Sequence, residues 1–133
     1  MAVIHFDRDL SGDMVDQIIT RLGTTATISF YNGSQPALTT TGITDQLLLG
    51  VCACANPIGS ESGGTLTFSP IGSDLEANNS GTATWVRIRD GASKAWMDLD
   101  VGVTGSTAYV QMASTSITAG GPIAFNSFTI TMP

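Results

Sequence analysis

The feature that most constrains this chain is a change of hydrophobic period at Gly23. Before it, Met14, Val15, Ile18, Ile19 and Leu22 recur at helical spacing and leave Asp13, Asp16, Gln17 and Arg21 on the other side. The spacing predicts a helix over residues 11–22, capped by Ser11 and ended by Gly23. After Gly23 the pattern becomes short alternating segments separated by turn residues, the mark of antiparallel strands. The expected fold is all-β: a single antiparallel β-sandwich, jelly-roll or Ig-like, with one short N-terminal α-helix. Residues 1–23 then form an arm and helix, and residues 24–133 the sandwich domain. A chain of 133 residues is a natural length for one core.

Individual strands follow from the alternation. In ATISFY, Ile28 and Phe30 share a face before the turn pair Asn32-Gly33; in TLTF, Leu66 and Phe68 point inward; in TAYVQM, Val110 and Met112 do. QLLLGVCACA is apolar on both faces and is expected at the centre of a sheet. Ser73 to Gly81 is a polar connection or one helical turn. In IAFNSFTITM the apolar phase moves from Ile123 and Phe125 to Phe128, Ile130 and Met132, which predicts a bulge near Asn126-Ser127. The opening AVIHF is too short to stand alone, so it is either a first strand or an arm, in which Val3, Ile4 and Phe6 would meet a neighbouring chain.

The stretch SGTATWVRIRDGASKAWMDLDVG gathers both tryptophans with Arg87, Arg89, Asp98 and Asp100. Read as a hairpin turning at Asp90-Gly91, it places Val86, Ile88, Met97, Leu99 and Val101 on one face. Trp85, Arg87, Arg89, Trp96, Asp98 and Asp100 fall on the other. One register serves both faces: Arg87 opposite Asp98, Arg89 opposite Trp96, Trp85 opposite Asp100, Ile88 opposite Met97 and Val86 opposite Leu99. The plain reading is a cross-strand Arg–Asp pair with an arginine over an indole, on an exposed outer face. The sharper one makes Trp85, Arg87, Arg89 and Trp96 a protein-contact surface, because Trp and Arg are enriched at binding hot spots. A sugar platform is a third.

Charge and cysteine usage exclude other classes. The net charge is -6 with a single lysine, Lys94, so the chain lacks the basic stripe that nucleic acid requires. Charged residues make up only 12% against about 25% in typical soluble domains, and such a surface desolvates cheaply against a neighbour. No apolar segment approaches a membrane span and the N-terminus lacks a signal-peptide pattern, so synthesis in the cytoplasm is expected. Cys52 and Cys54, two apart on one strand, would strain a disulfide, and a metal would need about two further ligands while His5 lies far off; both are read as reduced and structural. Asp98, Asp100 and Gly102 form a D-x-D-x-G fragment of a calcium loop without the closing glutamate. Neither a nucleophile with its base nor a phosphate loop is visible. No catalytic residue, cofactor or metal is expected, and the chain is read as no enzyme.

Taken in order, ISFYNGSQP, QLLLG, SGTATWVRIRD, DLDVG and TSITAGGPIAFNSFTITMP resemble a family of small proteins encoded by tailed bacteriophages and prophages. The resemblance runs from about Thr25 to Pro133. It implies a virion structural protein without catalytic residues. By analogy of size and fold, the expected role is a capsid decoration (cement) protein on the outer surface of the major capsid protein lattice, as a homotrimer. An adhesion or carbohydrate-binding module of a tail or head fibre is the alternative, with a connector or tail-completion protein third. Cys52, Cys54 and the Trp85/Trp96 pairing lie outside the resemblance.

Overall fold

A computed structural model describes residues 4–74, 76–123 and 128–132. The chain is mostly β with one short helix, and the change of period at Gly23 marks the boundary between them.

Helix α1 spans Arg8–Leu22, three residues longer at its start than the apolar pattern indicates. Asp7 is the cap, its side chain accepting from the Asp9 backbone N–H, and Ser11 lies inside the helix, fully buried. Because Asp7 starts the helix a turn earlier, Ser11 N already donates to Asp7 O, and its side chain packs closely on Gly64, where a Cβ would come within 2.6 Å of the Ser11 Cβ. Gly23, with φ of 69°, ends the helix as expected and donates to the Ile19 carbonyl at 3.1 Å. Val15 and Leu22 enter the core, while Ile18 and Ile19 pack at its margin.

Among the described residues ten strands form three sheets. They are β1 (Thr27–Tyr31), β2 (Leu48–Ala53), β3 (Gly59–Ser62), β4 (Thr65–Phe68), β5 (Gly81–Thr82), β6 (Trp85–Arg89), β7 (Ala95–Val103), β8 (Val110–Met112), β9 (Ser116–Ile117) and β10 (Thr129–Thr131). The largest sheet has the order β2-β1-β6-β7-β8, the second β10-β4-β3, and β5 pairs with β9. Ile28, Phe30, Val86 and Ile88 from the first sheet and Leu66 and Phe68 from the second belong to one buried cluster, to which Val110, Met112 and Ile130 also contribute. Phe68 stacks on Phe128 with centroids 4.2 Å apart. Most inward positions named by alternation are therefore the core, whereas Met97, Leu99 and Val101 of β7 are partly buried and pack against its margin.

Three features depart from the sequence reading. β2 is an edge strand, not a central one. Its second flank is closed by non-strand chain: Leu49 O accepts from Asn78 N at 2.7 Å, Ala53 O from Gly72 N at 2.9 Å, and Val51 N donates to Asp74 Oδ2 at 3.0 Å. A run that is apolar on both faces reports coverage, and here the segment after β4 supplies it, its described residues forming no strand. Secondly, β7 and β8 run parallel, with Val101 opposite Val110, so the sheet is mixed. The return between them is tied by Asp100 Oδ1 accepting from Tyr109 N at 2.9 Å and by Gln111 Nε2 donating to Ser106 O at 2.7 Å. Alternation is the same in either strand direction, so period alone misses this. Thirdly, the stretch before TLTF, to which the alternation assigns no strand, forms β3, hairpinned onto β4.

The connection Ser73 to Gly81 carries an isolated antiparallel bridge, Asp74 to Ile123. The bulge expected near Asn126-Ser127 lies outside the described residues. In the arm, Val3 lies outside them too, Ile4 is 63% exposed and Phe6 is half-buried; residues 4–7 form no strand.

Candidate functional site: an arginine-anchored strap over the outer sheet face

The hairpin register is as the alternation predicts over most of its length. Trp85 faces Asp100, Val86 faces Leu99, Arg87 faces Asp98 and Ile88 faces Met97. It slips between Ile88 and Arg89, so Arg89 opposes Ala95 rather than Trp96. The extra residue re-aims the second indole, as bulges do. Trp96 packs at the edge of the core against α1, with the Arg21 guanidinium 5.5 Å and the Lys94 ammonium 4.3 Å from its ring centre. The expected cluster of four is thus divided: Trp85, Arg87 and Arg89 stay together, and Trp96 joins the helix.

Nor is the Trp85/Arg87 face open. Trp85 is 1% exposed and Arg87 3%, because residues 32–47 fold across the outer face of β1, β6 and β7. The ends of this strap meet, with Asn32 N donating to Leu47 O at 3.3 Å and Leu47 N to Asn32 Oδ1 at 2.6 Å, which makes it a compact loop of the Ω type. Gln46 Nε2 closes it internally on Ser34 O at 2.6 Å.

Arg87 anchors the strap from below. Its Nε and Nη2 bind Asp98 Oδ1 and Oδ2 at 2.7 and 2.9 Å, a bidentate pair whose side chains are 4% and 5% exposed. Nη1 donates to Thr41 O at 2.9 Å and Nη2 to Leu38 O at 3.4 Å. The hydrogen bond to Asp98, against the opposing effect of burial, pushes the arginine pKa upward, so the guanidinium stays charged. Trp85 adds a second anchor: its Nε1 donates to Asn32 O at 3.1 Å, its ring stacks on Tyr31 at 4.6 Å, and the Arg87 guanidinium sits 5.3 Å from its centre. Thr84 Oγ1 binds Gly33 O at 2.6 Å.

Arg89 is half-buried and stays on this face, donating to Ser29 Oγ at 2.9 Å and Tyr31 Oη at 3.0 Å. Ser29 and Tyr31 were not singled out from the sequence. They stand opposite Arg87 and Trp85 in the β1–β6 register, so the alternation that puts Ile28 and Phe30 inward carries the signal for them. Asp90 shapes the hairpin turn. It accepts from the Trp96 indole at 2.9 Å and from the backbone of Ala92 and Lys94 at 2.9 and 3.0 Å, and these bonds, the indole's first, lower its pKa.

The D-x-D-x-G carboxylates are committed elsewhere, Asp98 to Arg87 and Asp100 to Tyr109 N. Among the described residues no group of three potential ligands gathers that would hold a metal ion. Among the same residues no helix is long and apolar enough to cross a membrane. Cys52 and Cys54 are free, the first buried and the second half-buried. Burial pushes both thiols up from 9.0 to about 11. The fold thus favours the protonated thiols, a stabilisation present below the ordinary pKa and lost as pH rises from about 9 to about 11. At pH 8 the thiolate fraction is then on the order of a hundredfold below that of the unfolded chain. Alkylation with iodoacetamide, followed by mass spectrometry, is expected to be slower in native protein than in urea, by less than that factor where access is equal because a more basic thiolate is the better nucleophile.

No protein-family model, curated protein or solved structure matches the chain.

Proposed function

We propose that this chain is a structural protein of a tailed-phage particle, a decoration protein that binds the outer surface of the capsid lattice as a homotrimer. The reading makes its fold a sandwich, antiparallel except for the β7–β8 pair, in which the five-stranded sheet faces β10-β4-β3. The observation that carries it is the surface. Leu10, Leu38, Leu47, Val51, Val103 and Tyr109 are all more than a third exposed on a chain with 12% charged residues. Such a surface loses little hydration on docking against protein. Thr84, Trp85 and Arg87 of the outer face, in turn, are engaged in holding the strap. The resemblance of the β6–β7 and C-terminal segments to phage virion proteins supports the same reading.

The sugar-binding alternative draws less support, since its platform required two exposed indoles and Trp85 lies beneath residues 32–47. The test is addition of purified protein to capsids stripped of accessory proteins. Saturable co-sedimentation at a fixed ratio to the capsid subunit is expected. Absence of capsid binding together with binding to host glycans would overturn the proposal in favour of adhesion.

A further inference from the structure

The charged groups of α1 and its surroundings are segregated, and the two halves are complementary. Of the five basic side chains, Arg8 donates to Gly63 O, while Arg87 and Arg89 hydrogen-bond on the outer sheet face. Arg21 and Lys94 alone make no hydrogen bond or ion pair among the described residues, and both are exposed. Both sit on the Trp96 ring, beside a hollow of about 130 Å³ lined by Gln17, Ile18, Arg21, Trp96 and Met97. Asp90 lies next to Lys94, but its carboxylate is turned onto the indole N–H and the turn backbone. The patch therefore joins two cations, one carboxylate and an apolar seat in a protein of net charge -6.

At the other end of α1, Asp9, Asp13 and Asp16 are exposed and line a second hollow of about 340 Å³ with Glu61 and Arg8. Their spacing of four and three residues puts the aspartates on one stripe. Asp9 in the first turn is accounted for by the helix dipole, which acts only there; Asp13 and Asp16 lie beyond it. From Asp13 to Arg21 the helix rises about 12 Å, so the two patches of one copy stay apart on a rigid element.

We propose that the acidic stripe Asp9/Asp13/Asp16 of one copy docks on the Arg21/Lys94/Trp96 patch of the next, a head-to-tail contact between identical chains. Two different patches meeting in this way generate a closed ring when the rotation closes, and three copies give the trimer. The inference rests on the self-association in the proposed function and is independent of where the assembly sits on a particle.

Charge exchange tests it, read as oligomer mass by sedimentation velocity at low salt. Arg21→Glu with Lys94→Glu, and separately Asp13→Lys with Asp16→Lys, are each expected to raise the dissociation constant at least about tenfold, because like charges then face each other. All four substitutions in one chain restore both the complementarity and the wild-type net charge, and should restore the oligomer. Arg21→Gln with Lys94→Gln is the milder variant, and circular dichroism verifies folding throughout. A folded double-reversal variant that still assembles overturns this interface while leaving self-association standing. Failure of the folded fourfold variant to reassemble also overturns it. A wild-type chain that is monomeric at every concentration overturns the self-association itself.

Discussion

Arg87→Ala is expected to destabilise the protein by about 3–5 kcal/mol, the range for removing one partner of a buried ion pair. The loss has two sources. Asp98, 5% exposed at its side chain, would keep a carboxylate stripped of both guanidinium bonds in a site that water reaches poorly. The strap would also lose the donors that bind it at Leu38 O and Thr41 O. Those two residues are themselves exposed, so their carbonyls rehydrate once the strap lifts and contribute less than the stranded carboxylate. Urea unfolding measures the loss, and hydrogen exchange or limited proteolysis across residues 33–47 measures release of the strap. Removing both charges, as Arg87→Met with Asp98→Leu, should recover much of the stability while leaving residues 33–47 more accessible. That combination separates the cost of a buried charge from the loss of anchoring. A melting temperature unchanged in Arg87→Ala would show that the pair is solvated and that the strap stands without it.

Trp85→Ala should cost about 3–5 kcal/mol as well, for a different reason: a large buried ring is deleted and its space cannot fully collapse. The indole is 1% exposed, stacks on Tyr31 at 4.6 Å and bonds Asn32 O, so its removal opens a cavity under the root of the strap. Were the same indole on an open sheet surface, the expected change would be within about 0.5 kcal/mol. Equilibrium unfolding therefore discriminates sharply between a covered and an open face. Trp85→Phe keeps most of the ring and loses the N–H, so its cost should be smaller, about 0.5–1.5 kcal/mol for the missing hydrogen bond plus a modest packing term. An Ala variant as stable as the parent would mean the strap does not cover this position in solution.

Both predictions concern a layer that local pattern could not disclose. In β6, alternation separates Val86 and Ile88 from Trp85, Arg87 and Arg89 correctly, and the opposition of Arg87 and Asp98 follows from the same count. What alternation cannot say is whether a face meets water, and here a segment some forty residues earlier in the chain lies over it. Arginine and aspartate on one face suggest exposure because burying charge is costly; bidentate geometry and two backbone acceptors offset that cost in this fold. The cue available in the sequence was the length of chain between β1 and β2 after the Asn32-Gly33 turn, too long for a simple hairpin.

Sequence alone determined what depends on nearest neighbours along the chain: the helix before Gly23, the strands β1, β2, β4, β6, β7 and β8 after it, the inward set Ile28, Phe30, Leu66, Phe68, Val86, Ile88, Val110 and Met112, and the central register of the β6–β7 hairpin. These follow because hydrophobic period and turn chemistry are local. Tertiary structure alone decided that β2 lies at an edge closed by Asp74 and Asn78, that β8 runs parallel to β7, that a one-residue slip turns Trp96 toward α1, and that residues 32–47 bury Trp85 and Arg87. Each of these is a choice of which distant surface covers a given group, and alternation assigns a side chain to a face without naming what will lie against it.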